Sequence, residues 1–185
     1  MKRKFMFGLG VAALVVASPF VASTPVFANL QEAGVALAQN ILRPEVKLEM
    51  GVEKQIITLD AEGKEQTEWT ALEGEAAVQP GDVLRYAVAS SNDGEVPAKN
   101  LSITQPIPEA MTYVIGSEKG AATPTYSIDK GETFVAEPVV EVTLADGTVE
   151  MQPAPADAYT HVKWDFNEDL GSSVAVNVSH EVTVK

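Results

Sequence analysis

Two short runs of oxygen-bearing side chains are the part of this sequence best suited to chemistry. Asn92, Asp93 and Glu95 form one, and Asp165, Asn167, Glu168 and Asp169 form the other. Hard cations such as calcium collect roughly six to eight oxygens at about 2.3–2.6 Å, and flexible loops supply them most readily. Both runs fall in expected turns, so both are candidate calcium sites. Neither has the spacing of an EF-hand or of an RTX repeat, and the same residue types serve tight turns through local hydrogen bonds. The only histidines are His161 and His180. With an acidic neighbour they could share a transition metal, although two separate, hydrogen-bonded imidazoles are the simpler expectation. His180 falls on the valine side of the last expected strand, near its solvent end.

Catalysis finds little footing. There is no G-x-S-x-G, H-E-x-x-H or P-loop, and the absence of cysteine excludes a thiol nucleophile and any Cys-ligated metal. A self-formed Lys–Asn isopeptide bond would pair Lys47 with Asn177. It needs a desolvated lysine beside a carboxylic acid, and alternation places both residues on polar faces. Trp69 and Trp164 could line a sugar platform, but a tryptophan on an alternating strand usually belongs to the core. Asn100-Leu101-Ser102 and Asn177-Val178-Ser179 match the glycosylation sequon, a triplet that chance often produces.

The elements that must position these residues are strands. After Pro44 the apolar period is two: Val46, Leu48 and Met50 alternate with Lys47 and Glu49. Gln55 to Leu59 and Thr67 to Leu72 flank the turn-forming Asp60 to Glu65, and Pro80-Gly81-Asp82 leads into a strand that puts Leu84, Tyr86 and Val88 on one face. Asn100 to Gln105 is a strand stopped by Pro106 and Pro108, after which Met111, Tyr113 and Ile115 alternate. Asp146-Gly147 predicts a two-residue type I′ hairpin that sets Leu144 opposite Val149, Val142 opposite Met151 and Thr143 opposite Glu150. Val162, Trp164 and Phe166 follow the loop at Pro153 and Pro155. The last strand is the most regular: Val174, Val176, Val178, Val182 and Val184 lie on one side, with Ala175, Asn177, Ser179, Glu181 and Thr183 on the other. Such alternation belongs to half-buried antiparallel strands. Seven to nine strands with Pro/Gly turns predict an all-β chain, an antiparallel β-sandwich.

The N-terminus reads as an address. Lys2, Arg3 and Lys4 precede the apolar stretch Phe5 to Val16, and Val26-Phe27-Ala28 suits a signal peptidase, so cleavage is expected after Ala28. An uncleaved anchor is the competing reading, but the apolar run falls short of the ~20 residues a bilayer span needs. No second hydrophobic segment follows, and neither a sorting tail nor a GPI-type signal is expected. Asn29 to Leu42 has Leu30, Ala33, Leu37 and Ile41 at helical spacing, a short helix within an extension over 29–44. Residues 45–78 then supply strands that pack on a domain over 79–185. Three of the 13 basic residues fall in the signal, leaving ten against 26 acidic ones, a net charge of −16. Such a surface disfavours nucleic acid and anionic lipid as partners and favours cations, besides keeping the chain soluble.

From Gln79 to the C-terminus the chain resembles the conserved-repeat (DUF11) domain of bacterial and archaeal surface proteins. The resemblance rests on QPGDVLRYAVASSNDGEVPAKNLSITQPIPEAMTYVIGS, and on Trp164, Asp169-Leu170-Gly171 and the valine-rich last strand. Where that family usually carries Asp before the prolines, this chain has Gln105, and the insert with the Asp146-Gly147 hairpin is longer. The resemblance implies an immunoglobulin-like β-sandwich, a single copy rather than a tandem array, and a periplasmic, cell-surface or extracellular destination. It implies a non-catalytic structural or adhesive module without a cofactor, whose partners are proteins or other envelope components. A calcium- or carbohydrate-binding module is the alternative.

Overall fold

The computed structural model describes residues 43–74 and 76–185. The expected signal segment, its cleavage point and the helix expected over 29–42 lie outside the described residues. Within them the chain is all-β and antiparallel, with no α-helix. The strands are β1 (Val46–Leu59), β2 (Glu65–Ala71), β3 (Val83–Asn92), β4 (Ser102–Pro106), β5 (Met111–Tyr113) and β6 (Lys119–Gly120). They continue with β7 (Pro124–Ser127), β8 (Val139–Thr143), β9 (Val149–Pro153), β10 (His161–Asp165) and β11 (Ala175–Val184); a 3-10 turn, Ala156–Ala158, precedes β10.

The larger sheet runs β2-β1-β3-β11-β5, with β6 also on β11; the smaller runs β4-β10-β7, and β8 pairs only with β9. Alternation explains the larger one. Leu84, Tyr86, Val88, Ser90 and Asn92 of β3 are buried, whereas Arg85, Ala87, Ala89 and Ser91 face outward. Register continues this face across the sheet: Tyr86 lies opposite Val52 on one side and His180 on the other, and Val88 opposite Met50 and Val178. Two half-buried ion pairs tie β1 to β3 and to the turn before it: Arg85 Nε to Glu53 at 2.7 Å on the outer face, and Lys54 Nζ to Asp82 at 2.6 Å at the margin of the face that carries Leu84.

Inner residues of both sheets enter one apolar cluster. Leu84, Val88, Val178 and Val182 from the larger sheet join Ile103, Val162 and Trp164 from the smaller. Trp164 is fully buried, and its ring centroid stands 6.2 Å from that of His180 on the facing sheet. Each such aliphatic or aromatic side chain contributes roughly 1.5–3 kcal/mol by leaving water.

Three sequence expectations are revised. The segments expected as separate strands around Met50 and Gln55 are one strand of 14 residues, because Val52 is buried and carries the pairing through Gly51. Beyond Lys54, β1 leaves β3 and pairs with β2 alone, so Ile57 and Leu59 stand exposed on a two-stranded ribbon. The β8–β9 register is displaced by one residue: Thr143 faces Val149 and Val142 faces Glu150. The cause is a three-residue loop. Leu144 N donates to Thr148 O at 2.7 Å and Gly147 N to Leu144 O at 2.9 Å, with Gly147 at φ 84°, the geometry of a type I turn followed by a glycine bulge. Since side chains alternate, that slip puts Val149 and Met151 on the same exposed face as Glu141 and Thr143. Short β5, β6 and β7 and this ribbon bring the strand count to eleven rather than seven to nine.

Trp164→Ala is expected to lower the free energy of unfolding by about 3–5 kcal/mol in urea titrations with an unchanged slope. A loss below about 1 kcal/mol would contradict a core shared by both sheets.

Candidate functional site

The titratable groups that share the interior gather around Glu118, just before β6. Its carboxylate accepts the phenolic hydrogen of Tyr113 on one oxygen and that of Tyr126, at 2.5 Å, on the other. Tyr113 belongs to the larger sheet and Tyr126 to the smaller, so one carboxylate fastens the two together. Tyr159 stacks on Tyr113 with centroids 5.1 Å apart and meets Tyr126 edge-on at 5.5 Å. Burial works against the charged form of Glu118, but the two phenolic hydrogen bonds outweigh it and hold the carboxyl below its ordinary range. Burial, and then the anionic neighbour, push both phenols well above theirs, so the pair remains protonated donors. No local motif marks this cluster; it arises because β5 and β7 lie on facing sheets.

His180 is 1 % exposed, which corrects its expected place near the solvent end of the last strand. Its ring stacks on Tyr86 at 5.6 Å and lies 6.1 Å from Tyr113, and among the described residues neither ring nitrogen meets a hydrogen-bond partner. Burial lowers its pKa to about 4, against a smaller opposing pull from Glu118. His161 sits one position out of phase with buried Val162 and Trp164, so it faces away from the core. It touches Thr160 Oγ1 at 3.1 Å and presents an edge to Phe134. The two histidines therefore occupy different sheets and opposite sides, and they do not form a shared metal site.

The first acidic run is a structural knot. Asn92 is fully buried; its Oδ1 accepts from Glu45 N and Gly94 N, both at 3.1 Å, and its Nδ2 donates to Val96 O at 2.7 Å and Leu170 O at 3.0 Å. That amide anchors the start of β1, the turn after β3 and the link from β10 to β11. Gly94 is required there, because a Cβ would lie 2.5 Å from Glu45 N and 2.6 Å from Arg43 O. Asp93 turns outward to Lys47, whose ammonium holds its carboxyl below the usual range. Glu95 is exposed.

The second run borders a cavity of about 310 Å³. Leu101, Phe166, Leu170 and Val176 form its floor, and Asp165, Asn167, Glu168 and Asp169 stand around it. Among the described residues no group of three or more His, Cys, Asp or Glu side chains is arranged to hold a metal ion. A wider trough of about 530 Å³ crosses the outer face of the larger sheet over Gly51, Ala87 and Ser179, flanked by Glu53, Arg85 and Lys119. Trp164 is sealed in the core and Trp69 carries the Arg85 guanidinium 4.1 Å above its ring, so the pair forms no joint sugar platform. Lys47 and Asn177 are both exposed, in keeping with the rejection of an isopeptide bond.

No protein-family model matches the chain, and no curated protein or solved structure is significantly similar to it.

Two measurements test the interior. The unfolded imidazole of His180 takes a proton near pH 6.5, whereas the buried one resists until about pH 4. The unfolded state thus binds more protons across that window, and stability falls by roughly 3 kcal/mol as the pH drops from about 6.5 to 4. His180→Phe should remove most of this slope in denaturation curves collected at each pH; an unaltered slope would place the acid sensitivity elsewhere. Glu118→Gln leaves the buried phenol of Tyr113 and the half-buried one of Tyr126 with a weaker acceptor and is expected to cost about 1.5–3 kcal/mol. Tyr113→Phe combined with it should cost much less than the sum of the two single changes, a coupling that a double-mutant cycle reads directly.

Proposed function

We propose that this chain is an exported protein of the bacterial cell envelope, cleaved after Ala28, that acts as a non-catalytic structural or adhesive module. Its sheets form an immunoglobulin-like sandwich in this reading, of the kind the conserved-repeat resemblance implies. The observation that carries it is the fate of the reactive groups. His180 is enclosed without a hydrogen-bond partner among the described residues, and Glu118 is spent on two phenols that join the sheets. The polar chemistry of the interior serves cohesion, and what faces outward is strand edge, ribbon and turn.

The charge of the mature chain, −16 by formal count, supports the same reading. An exported domain of that charge stays soluble and meets cationic segments of its neighbours by long-range attraction. The β8–β9 ribbon exposes Val139, Val149 and Met151, and the β1–β2 ribbon exposes Ile57 and Leu59, apolar groups that contact with another protein would cover. Among the described residues no helix is long and apolar enough to cross a membrane.

Fractionation of the producing cells followed by N-terminal sequencing is the direct test. The protein is expected outside the cytoplasm with Asn29 as its first residue. Recovery of an intact chain beginning at Met1 in the cytosol, or catalytic turnover abolished by replacing His161 or His180, would sink the proposal.

A further inference from the structure

The second acidic run earns a different role from the calcium site expected of it. We infer that the cavity between the β6–β7 link and the segment joining β10 to β11 is a docking pocket for a basic side chain, lysine or arginine, presented by an extended segment of a partner protein. This rests on reading the chain as an exported adhesive module.

A hard cation needs oxygens that converge on one point. Here Asp165, Glu168 and Asp169 border an apolar floor of Leu101, Phe166, Leu170 and Val176 and, among the described residues, are not arranged to hold a metal ion, and no lysine or arginine lines the cavity. Asp165 is neutralised by Lys163 Nζ at 2.8 Å, whereas Glu168 and Asp169 take part in no ion pair among the described residues. A carboxylate rim above an apolar floor is complementary to a group with an apolar stem and a cationic tip. Lysine and arginine have that form: the methylene stem covers apolar surface while the charged head reaches the rim. The volume, about 310 Å³, suits one long side chain and its flanking backbone rather than a compact ion.

The contrast with the wider trough sharpens the assignment. That trough is lined by Arg85 and Lys119 beside Glu49 and Glu53, so its charges are mixed and give no preference for a cation. Of these two cavities, the one beside Phe166 joins an apolar floor to a rim of one sign. The excess negative charge of the whole chain then raises the encounter rate of basic segments with it. An extended segment fits better than a folded surface, because one wall of the cavity is a short run of small residues in which Ala121 and Thr123 are exposed and Ala122 packs on the core, so that another chain can lie along it.

The test is an NMR titration of the ¹⁵N-labelled exported chain with a capped pentapeptide carrying a central lysine, and with its norleucine counterpart. The lysine peptide should move amides of residues 121–123 and 165–176, and norleucine should bind at least about fivefold more weakly. The paired change Glu168→Gln and Asp169→Asn should weaken the lysine peptide about three- to tenfold while leaving norleucine unaffected. These carboxylates are exposed, so the variant folds, and its spectrum verifies that. Shifts scattered over the acidic surface, or indifference of the lysine peptide to the paired change, would overturn the pocket. So would calcium chloride alone moving the same amides at millimolar concentration, or butylamine matching the peptide's affinity. Failure of the peptide with the chain still recovered outside the cytoplasm from Asn29 removes the pocket alone; retention in the cytosol removes the module reading whatever the peptide does.

Discussion

Each inward residue on β3, β10 and β11 lies one position from an outward one, and the smaller sheet offers no depth beyond a single layer of side chains. The whole structure depends on those inward layers meeting. Val88, Val178 and Val182 gain nothing by alternation unless Ile103, Val162 and Trp164 cover them, and the reverse holds equally. Neither sheet has a reason to persist alone, and the connections enforce the mutual dependence. The chain passes from the larger sheet to the smaller after β3, returns before β5, leaves again after β6 and comes back between β10 and β11.

What is unusual is how much of the shared interior is polar. Asn92 satisfies every hydrogen-bonding position of its amide, and Glu118 uses both its oxygens. Such satisfied networks restrict which packings are possible, since any displacement of the sheets strands a buried donor or acceptor at about 1–3 kcal/mol. The side-chain polar atoms of Gln105 and Ser90, the Trp164 indole nitrogen and both nitrogens of His180 are buried without a hydrogen-bond partner among the described residues. They tax the fold instead of specifying it. The same interior thus holds groups that lock the two sheets in register and groups that make the lock sensitive to acid.

The parts of this architecture legible in the sequence are those governed by local rules. The alternation of β11 and β3 and the turn at Asp60 needed only side-chain period and turn chemistry; Asp60 Oδ1 indeed accepts from Glu62 N and Lys64 N. The β8–β9 hairpin shows the limit of such rules. Asp146-Gly147 announces a turn, but a two-residue loop and a three-residue loop with a bulge both use that dipeptide, and the choice between them reverses every side chain that follows. Alternation puts His180 on the valine side of its strand, but its depth depends on Tyr86, Tyr113 of β5 and Trp164 packing around it. The Glu118 cluster was invisible, because Glu118 and its two tyrosines meet only through tertiary closure. Asn92 looked like a loop ligand for the same reason: its partners include Glu45 and Leu170, 47 and 78 residues away.

The two acidic runs read alike in sequence, and their fates diverge for a physical reason. Asn92 lies in phase with the inner face of β3, so its amide is drawn into the protein and consumed by backbone groups that no solvent reaches. Asp165 is the last residue of β10 and out of phase with Trp164, so the run that begins there unrolls over the outside of the fold. Phe166 and Leu170 drop from that run onto the end of the core, and the carboxylates between them are held up around the depression they make. An apolar floor beneath a negative rim is therefore a by-product of how the chain must travel from the smaller sheet back to the larger. Function at this site needs no dedicated element, only that the crossing be long enough to expose its acids and oily enough to stay attached.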